Sequence, residues 1–300
     1  MQQRFLPPAR ARTVALAAST TLLVAFLSAC GGDGDSGGPP TATVTSISVN
    51  APRYAAPATV TINGTGLDTS LAVSSAICPN MTLNAGSTST SATYTCTVSG
   101  GLTSTVVAKS NGTQVGSAAI SVPAPVVTMI LNNTLAVNGN LVITLAPDKA
   151  PKTVDNFLHY VNTGFYNNTI FHRVVANFIA QGGGYAPQIT DVASATLKTG
   201  TFAPIALETS SLKNVTGSIA MANANTQINL TTTTSQFYIN LGNNTNLDGG
   251  YAVFGSITGG SALTQAIVAA PASCVGNPLA GTIDCLPVPN VVITSATQSQ

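Results

Sequence analysis

Residues 170–184 read IFHRVVANFIAQGGG, so Arg173, Phe178 and Gln181 are carried along a β-prone run into three consecutive glycines. β-branched Val174 and Val175 beside Arg173 mark residues 171–181 as a strand and its connection. The chain is only 6% charged and holds ten basic residues in all, which sets an arginine inside such a run apart from generic surface charge.

Three hundred residues exceed one typical domain, and the sequence divides into a leader, a linker and two folded units. Arg4, Arg10 and Arg12 precede an apolar run over 14–26 that ends in Leu27-Ser28-Ala29-Cys30. A basic start, a short apolar middle and small residues at the exit describe a secretory signal over residues 1–29, not a spanning helix. Leu-Ser-Ala-Cys also resembles a bacterial lipobox, which makes Cys30 the expected lipidation position and the membrane an expected partner. The expected location is the bacterial envelope. Gly31 and Gly32 lack the aspartate of an inner-membrane retention signal, which points to the outer membrane, facing the periplasm or the cell surface.

Without the leader the chain keeps seven basic and nine acidic residues, a net charge of −2. That balance, with no basic stripe and no tryptophan, argues against nucleic acid as a partner. Abundant threonine, asparagine and serine supply solubility instead, a composition suited to exported β-rich proteins. Beyond Cys30 there are four cysteines, which fall into two local pairs, Cys78 with Cys96 and Cys274 with Cys285. Three connectivities are open to four cysteines, and the position of each pair within one apparent domain favours two local disulfides. Free thiols or a metal site are the alternatives. Neither pair has C-x-x-C spacing and the two histidines lie elsewhere, so no metal is expected.

Residues 30–40 are rich in glycine and proline, with nothing able to join a core, and read as a flexible tether. Over 41–123, short β-prone runs at 43–49, 58–62 and 117–122 are separated by turn residues, with Asn63-Gly64 and Gly100-Gly101 as turn signals. This pattern predicts a small β-sandwich. Its segment 59–67, TVTINGTGL, resembles immunoglobulin-like domains of the IPT type. Pro123-Ala124-Pro125 marks the boundary to a second domain over 124–300. Strands are predicted at 126–131, 141–145, 218–221, 236–241 and 252–257. Between the first two and the rest, Val154, Phe157, Leu158 and Val161 form one apolar stripe on a helix that opens at Pro151 and stops at Gly164. His159 lies off that stripe, facing solvent.

Further blocks follow the first: Met221-Ala222-Asn223-Ala224, residues 235–240 (SQFYIN) and residues 247–255 (LDGGYAVFG). In this order, over about 126–260, they resemble a cyclophilin-type peptidyl-prolyl isomerase of the short bacterial kind. The resemblance implies a mainly β fold, an eight-stranded antiparallel barrel capped by helices. It also implies catalysis of X-Pro bond rotation in proline-containing polypeptides. Such rotation must cross an amide barrier of about 18–20 kcal/mol without cleaving any bond, so no cofactor is expected. By motif position Arg173 is the catalytic residue, a permanently protonated donor for the prolyl nitrogen. Phe178, Ile179, Tyr238 and Leu247 correspond to an apolar pocket for the ring. Gln181, Ala222, Asn223 and Gln236 correspond to the peptide groove, and Tyr251 stands where many eukaryotic members carry histidine. Ile179 replaces the usual methionine, and Asn246 replaces an aromatic wall on which cyclosporin binding depends. Isomerisation needs no general base, so His172 has no expected role.

The function expected from these residues is an exported, lipid-anchored prolyl isomerase assisting folding of envelope or secreted proteins. The alternative is a catalytically weak proline-peptide binding or chaperone module on the same anchor.

Overall fold

The computed structural model describes residues 41–67, 71–132, 137–190, 194–223, 233–270, 275–277 and 281–300. The leader, Cys30, the tether to residue 40 and Cys274 lie outside the described residues, as does most of a threonine-rich loop at 225–234.

The first seven strands are β1 (Thr43–Asn50), β2 (Pro57–Thr65), β3 (Leu71–Ser74), β4 (Thr82–Leu83), β5 (Ser91–Thr97), β6 (Thr103–Ser110) and β7 (Thr113–Ser121). They make a four-stranded antiparallel sheet in the order β1-β2-β5-β4 and a three-stranded sheet in the order β3-β6-β7. Alternation along β2 buries Ala58, Val60 and Ile62, and alternation along β6 buries Val106 and Ala108. Cys78 and Cys96 are joined by a disulfide, their Cα atoms 5.5 Å apart across a separation of 18 residues. Gly100, at φ +80°, sits at a bend between β5 and β6, where its sequence predicts a change of direction. Asn63-Gly64 does not. These residues continue β2 and oppose a bulge in β1 between Val44 and Ser46. A Cβ on Gly64 would overlap the Thr43 carbonyl oxygen, so this glycine allows two backbones to approach and does not reverse the chain.

The second set comprises β8 (Val126–Asn132), β9 (Asn138–Leu145), α1 (Pro151–Asn162), β10 (Thr169–Val175), β11 (Ile179–Gly182), β12 (Ser218–Met221), β13 (Phe237–Asn240), β14 (Val253–Gly259), α2 (Ala262–Ala269), β15 (Val275–Asn277), β16 (Gly281–Leu286) and β17 (Val291–Gln298). Eight of these strands run in the order β11-β13-β12-β14-β9-β8-β17-β10, and β10 pairs back onto β11. Every pairing is antiparallel, so the result is a closed eight-stranded barrel of the expected class. β15 and β16 form a hairpin outside the ring, with Cys285 opposite Val174 of β10. Cys285 is disulfide-bonded.

Inward-facing Leu141, Ile143, Phe171, Ile219, Phe237, Ile239 and Phe254 fill the barrel together with Phe157 of α1, all fully buried. The Phe157 ring lies 4.9 Å from Phe254 and 5.8 Å from Phe237, the latter edge-on. Val154, Leu158 and Val161 complete the buried stripe of α1, while His159 is exposed and its ring stands edge-on to Phe202 at 3.8 Å. The start of α1 has no local side-chain cap. The Glu208 carboxylate serves instead, accepting from the main-chain N–H of Lys152 and Thr153 at 3.2 and 2.9 Å and from Thr153 Oγ1 at 2.8 Å.

The two β regions meet beside α1. Tyr54 donates its hydroxyl to Asp155 Oδ1 at 2.5 Å and accepts from the Gly100 N–H at 2.8 Å. Arg53 donates to the Gln298 carbonyl at 3.2 Å, and Gln298 Nε2 returns a bond to the Tyr54 carbonyl at 2.8 Å. Burial pushes the Asp155 carboxyl above its ordinary value, against the opposing bond from Tyr54.

Candidate active site

Strand register explains how distant residues come to share one face. Arg173 of β10 pairs with Gln181 of β11, Gln181 pairs with Tyr238 of β13, Tyr238 with Ala220 of β12, and Ala220 with Val253 of β14. Directly paired residues point to the same side of a sheet, so this row lies on one face of the barrel wall. Ile179, two residues before Gln181, belongs to that face too. A bulge between Phe171 and Arg173 changes the register there and leaves Phe171 in the barrel core.

On this face Ile179, Ala220, Ala222, Tyr238 and Val253 form an apolar cluster separate from the barrel interior, with Phe178, Leu212, Leu247 and Tyr251 packed against it. The rings of Tyr238 and Tyr251 meet edge-on at 5.6 Å. A polar chain borders the cluster. Arg173 Nη1 lies 3.4 Å from Gln181 Oε1, a long contact, and Gln181 Nε2 donates to Gln236 Oε1 at 2.9 Å. Asn223 donates to the Gly250 carbonyl at 3.2 Å and accepts from the Thr233 hydroxyl, while the Ala222 N–H donates to the Gln236 carbonyl at 2.9 Å.

The triple glycine has a spatial reason. Gly183, at φ +80°, lies against the Tyr166 and Phe237 rings, and a Cβ on Gly184 would come within 2.7 Å of the Gln236 side chain. Glycine at 184 therefore leaves Gln236 the room in which it meets Gln181.

All ten residues singled out by motif, Arg173 and its nine companions, come together here. Asn246 is exposed and outside the apolar cluster. His172 is buried, its ring 4.7 Å from Tyr185, and burial pushes its imidazole down to about 4. It is therefore neutral at physiological pH. Sequence reasoning missed Leu212 and Val253, and it assigned the asparagines to solubility, whereas Asn214, Asn240 and Asn244 are buried beneath this face. An apolar cleft of about 580 Å³ between 187–190 and 288–290 contains none of these residues. An apolar patch bordered by a guanidinium and amides can hold an uncharged ring while donating a hydrogen bond at its edge.

Residues 126–298 match the family model described as cyclophilin type peptidyl-prolyl cis-trans isomerase/CLD. The chain is 42% identical over 144 residues to a peptidyl-prolyl cis-trans isomerase of Acinetobacter baylyi, covering 46% of this chain and 71% of that one. It is 37% identical over 172 residues to peptidyl-prolyl cis-trans isomerase B of Escherichia coli, covering 54% and 96% respectively. Among solved structures, a cyclophilin type peptidyl-prolyl cis-trans isomerase of Cryptosporidium parvum is similar at 25% identity with a TM-score of 0.45, over 59% of this chain and 99% of that one. With more than half of its length matched and the barrel closed as described, the chain belongs to the cyclophilin-type family and is a peptidyl-prolyl cis-trans isomerase.

Proposed function

We propose that this isomerase works in the bacterial envelope on exported proline-containing polypeptides, held to the membrane through a lipidated Cys30, with Arg173 as its catalytic residue. Twisting an X-Pro amide localises a lone pair on the prolyl nitrogen. A guanidinium aimed at that nitrogen stabilises the twisted state and gains little from the planar one, which is the condition for acceleration. The Phe178, Ile179, Tyr238 and Leu247 patch receives the ring, and Tyr251 lies at its margin. Gln181 and Gln236 orient the arginine, while Ala222 and Asn223 offer a groove to the peptide backbone. The observation that carries this reading is the Arg173–Gln181–Gln236 chain along the rim of the apolar patch.

The envelope assignment draws support from the leader and lipobox and from the disulfide of Cys78 with Cys96, a bond at home in an oxidising compartment. In the same reading, residues 30–40 are a tether, 41–123 an immunoglobulin-like sandwich that spaces the enzyme from the membrane, and 124–300 the isomerase domain.

Arg173→Ala should lower kcat/KM for X-Pro isomerisation by about 10²–10³, or about 2.7–4 kcal/mol, with ground-state peptide affinity nearly unchanged. An Arg173→Ala protein of full activity removes this mechanism, and a wild-type protein that binds proline peptides without isomerising them moves the site to a binding role. Cys30→Ser should abolish fatty-acid labelling and membrane association in cell fractions. Normal anchoring of that variant refutes the lipid anchor.

A further inference from the structure

Beneath the apolar patch lies a polar network for which ring binding and catalysis give no account. Tyr238, 2% exposed, donates its hydroxyl to Asn214 Oδ1 at 2.8 Å, and Asn214 is itself 0% exposed. The same oxygen accepts from Asn240 Nδ2 at 3.1 Å. Asn214 then gives both its main-chain N–H and its Nδ2 to Asp248 Oδ1, at 2.9 and 3.0 Å. Asp248 directly follows Leu247, and its second oxygen lies 3.3 Å from Lys213 Nζ. On the other side Asn244 Nδ2 donates to Asn240 Oδ1 at 2.8 Å and to the Phe178 carbonyl at 2.7 Å.

Burying an asparagine is costly unless its groups are paired, and an apolar residue could fill the same space without that cost. Tyr238 raises the same question, because phenylalanine would supply the same ring without a hydroxyl to satisfy. Burial holds its phenol well above the ordinary value, so the hydroxyl remains a donor. The bonds from Asn214 to Asp248 in turn hold that carboxyl below its ordinary value, ionised as an acceptor.

We infer that Asn214 is the positioning residue of the prolyl pocket, fixing the Tyr238 ring from beneath and coupling it to the Leu247 wall through Asp248 and to the Phe178 wall through Asn240 and Asn244. This rests on the reading of that patch as the ring pocket. A pocket held in shape before the ring arrives loses less freedom on binding, and the benefit is equal for planar and twisted amide. The consequence is a lower KM without a higher kcat.

The test is steady-state X-Pro isomerisation by the full chain without its leader, carrying Asn214→Leu, Tyr238→Phe, or both. Each single change should raise KM about two- to tenfold, the range expected of one buried hydrogen bond, at unchanged kcat. The double variant should show less than the product of the two effects, because both remove the same bond. Independent effects, or a fall in kcat at unchanged KM, overturn the inference. Should Asn214→Leu fail to fold, Asp248→Ala reaches the network from its partly exposed end and should raise KM in the same sense, and an unchanged KM overturns the inference. Phe178→Ala separates the two levels. If its KM is unchanged, the ring-pocket reading falls and the inference with it; if its KM rises while the Asn214 and Tyr238 effects multiply independently, the inference falls alone.

Discussion

Single residues of this active-site face differ in how openly the sequence displays them. Arg173, Phe178, Gln181 and Gln236 lie in runs whose order is itself a signature, so their convergence could be read before any coordinates. Asn214 could not, because a buried asparagine and a solvated one look alike in a chain rich in asparagine, and its partners Tyr238 and Asp248 lie 24 and 34 positions away. Gly184 stands between these cases: the glycine run is visible, but its reason, the closeness of the Gln236 side chain, is purely spatial. Gly184→Ala should push Gln236 from Gln181 and loosen Arg173, lowering kcat/KM on the order of tenfold while the thermal midpoint moves little. Wild-type kinetics in that variant would show that the glutamine pair does not hold the arginine.

Elements repeat the pattern on a larger scale. The buried stripe of α1 is plain from its i, i+3, i+4, i+7 spacing, and Pro151 and Gly164 bound it. Its cap is not plain, since Glu208 arrives from 55 positions downstream. Removing that carboxylate leaves two main-chain N–H groups without their acceptor. Glu208→Ala should therefore cost about 1 kcal/mol of unfolding free energy by denaturant titration, with the slope of the transition unchanged. Helix α2 escaped the sequence reading because Ala262–Ala269 is apolar on nearly all sides and shows no stripe, with Ile267 alone buried. Gly64 misled for a different reason. An Asn-Gly pair is a turn signal only when the flanking runs pair with each other, and here β1 supplies the partner from the other side.

At the scale of the whole molecule, a barrel followed from the family likeness and the region before it from its β-prone runs, but the contact between them had no trace in the sequence. Asp155 lies in that contact, and burial is the first cause of its raised pKa, with Glu208 adding to it. A carboxyl whose folded pKa is raised binds its proton more tightly when folded, so its contribution favours folding at low pH and is lost as pH rises through the raised value. Asp155→Asn keeps an acceptor for Tyr54 and removes the charge. The variant should melt higher than wild type at pH 7, with the difference vanishing below the ordinary carboxylate value of 3.8. A destabilised Asp155→Asn at pH 7 would mean that the ionised carboxylate strengthens the contact.

The barrel's closure also sets a schedule. β17 lies between β8 and β10, and Thr294 reaches the Ile130 carbonyl across 164 positions. Local pairs such as β8 with β9 can form first, whereas the pairing of β8 with β17 across 164 positions is slow to find. Until that pairing forms, β10, the strand bearing Arg173, can be held by β11 on one side but lacks β17 on the other. An enzyme that shortens the waiting time of other chains thus has a slow step of its own, the docking of the strand that completes its ring.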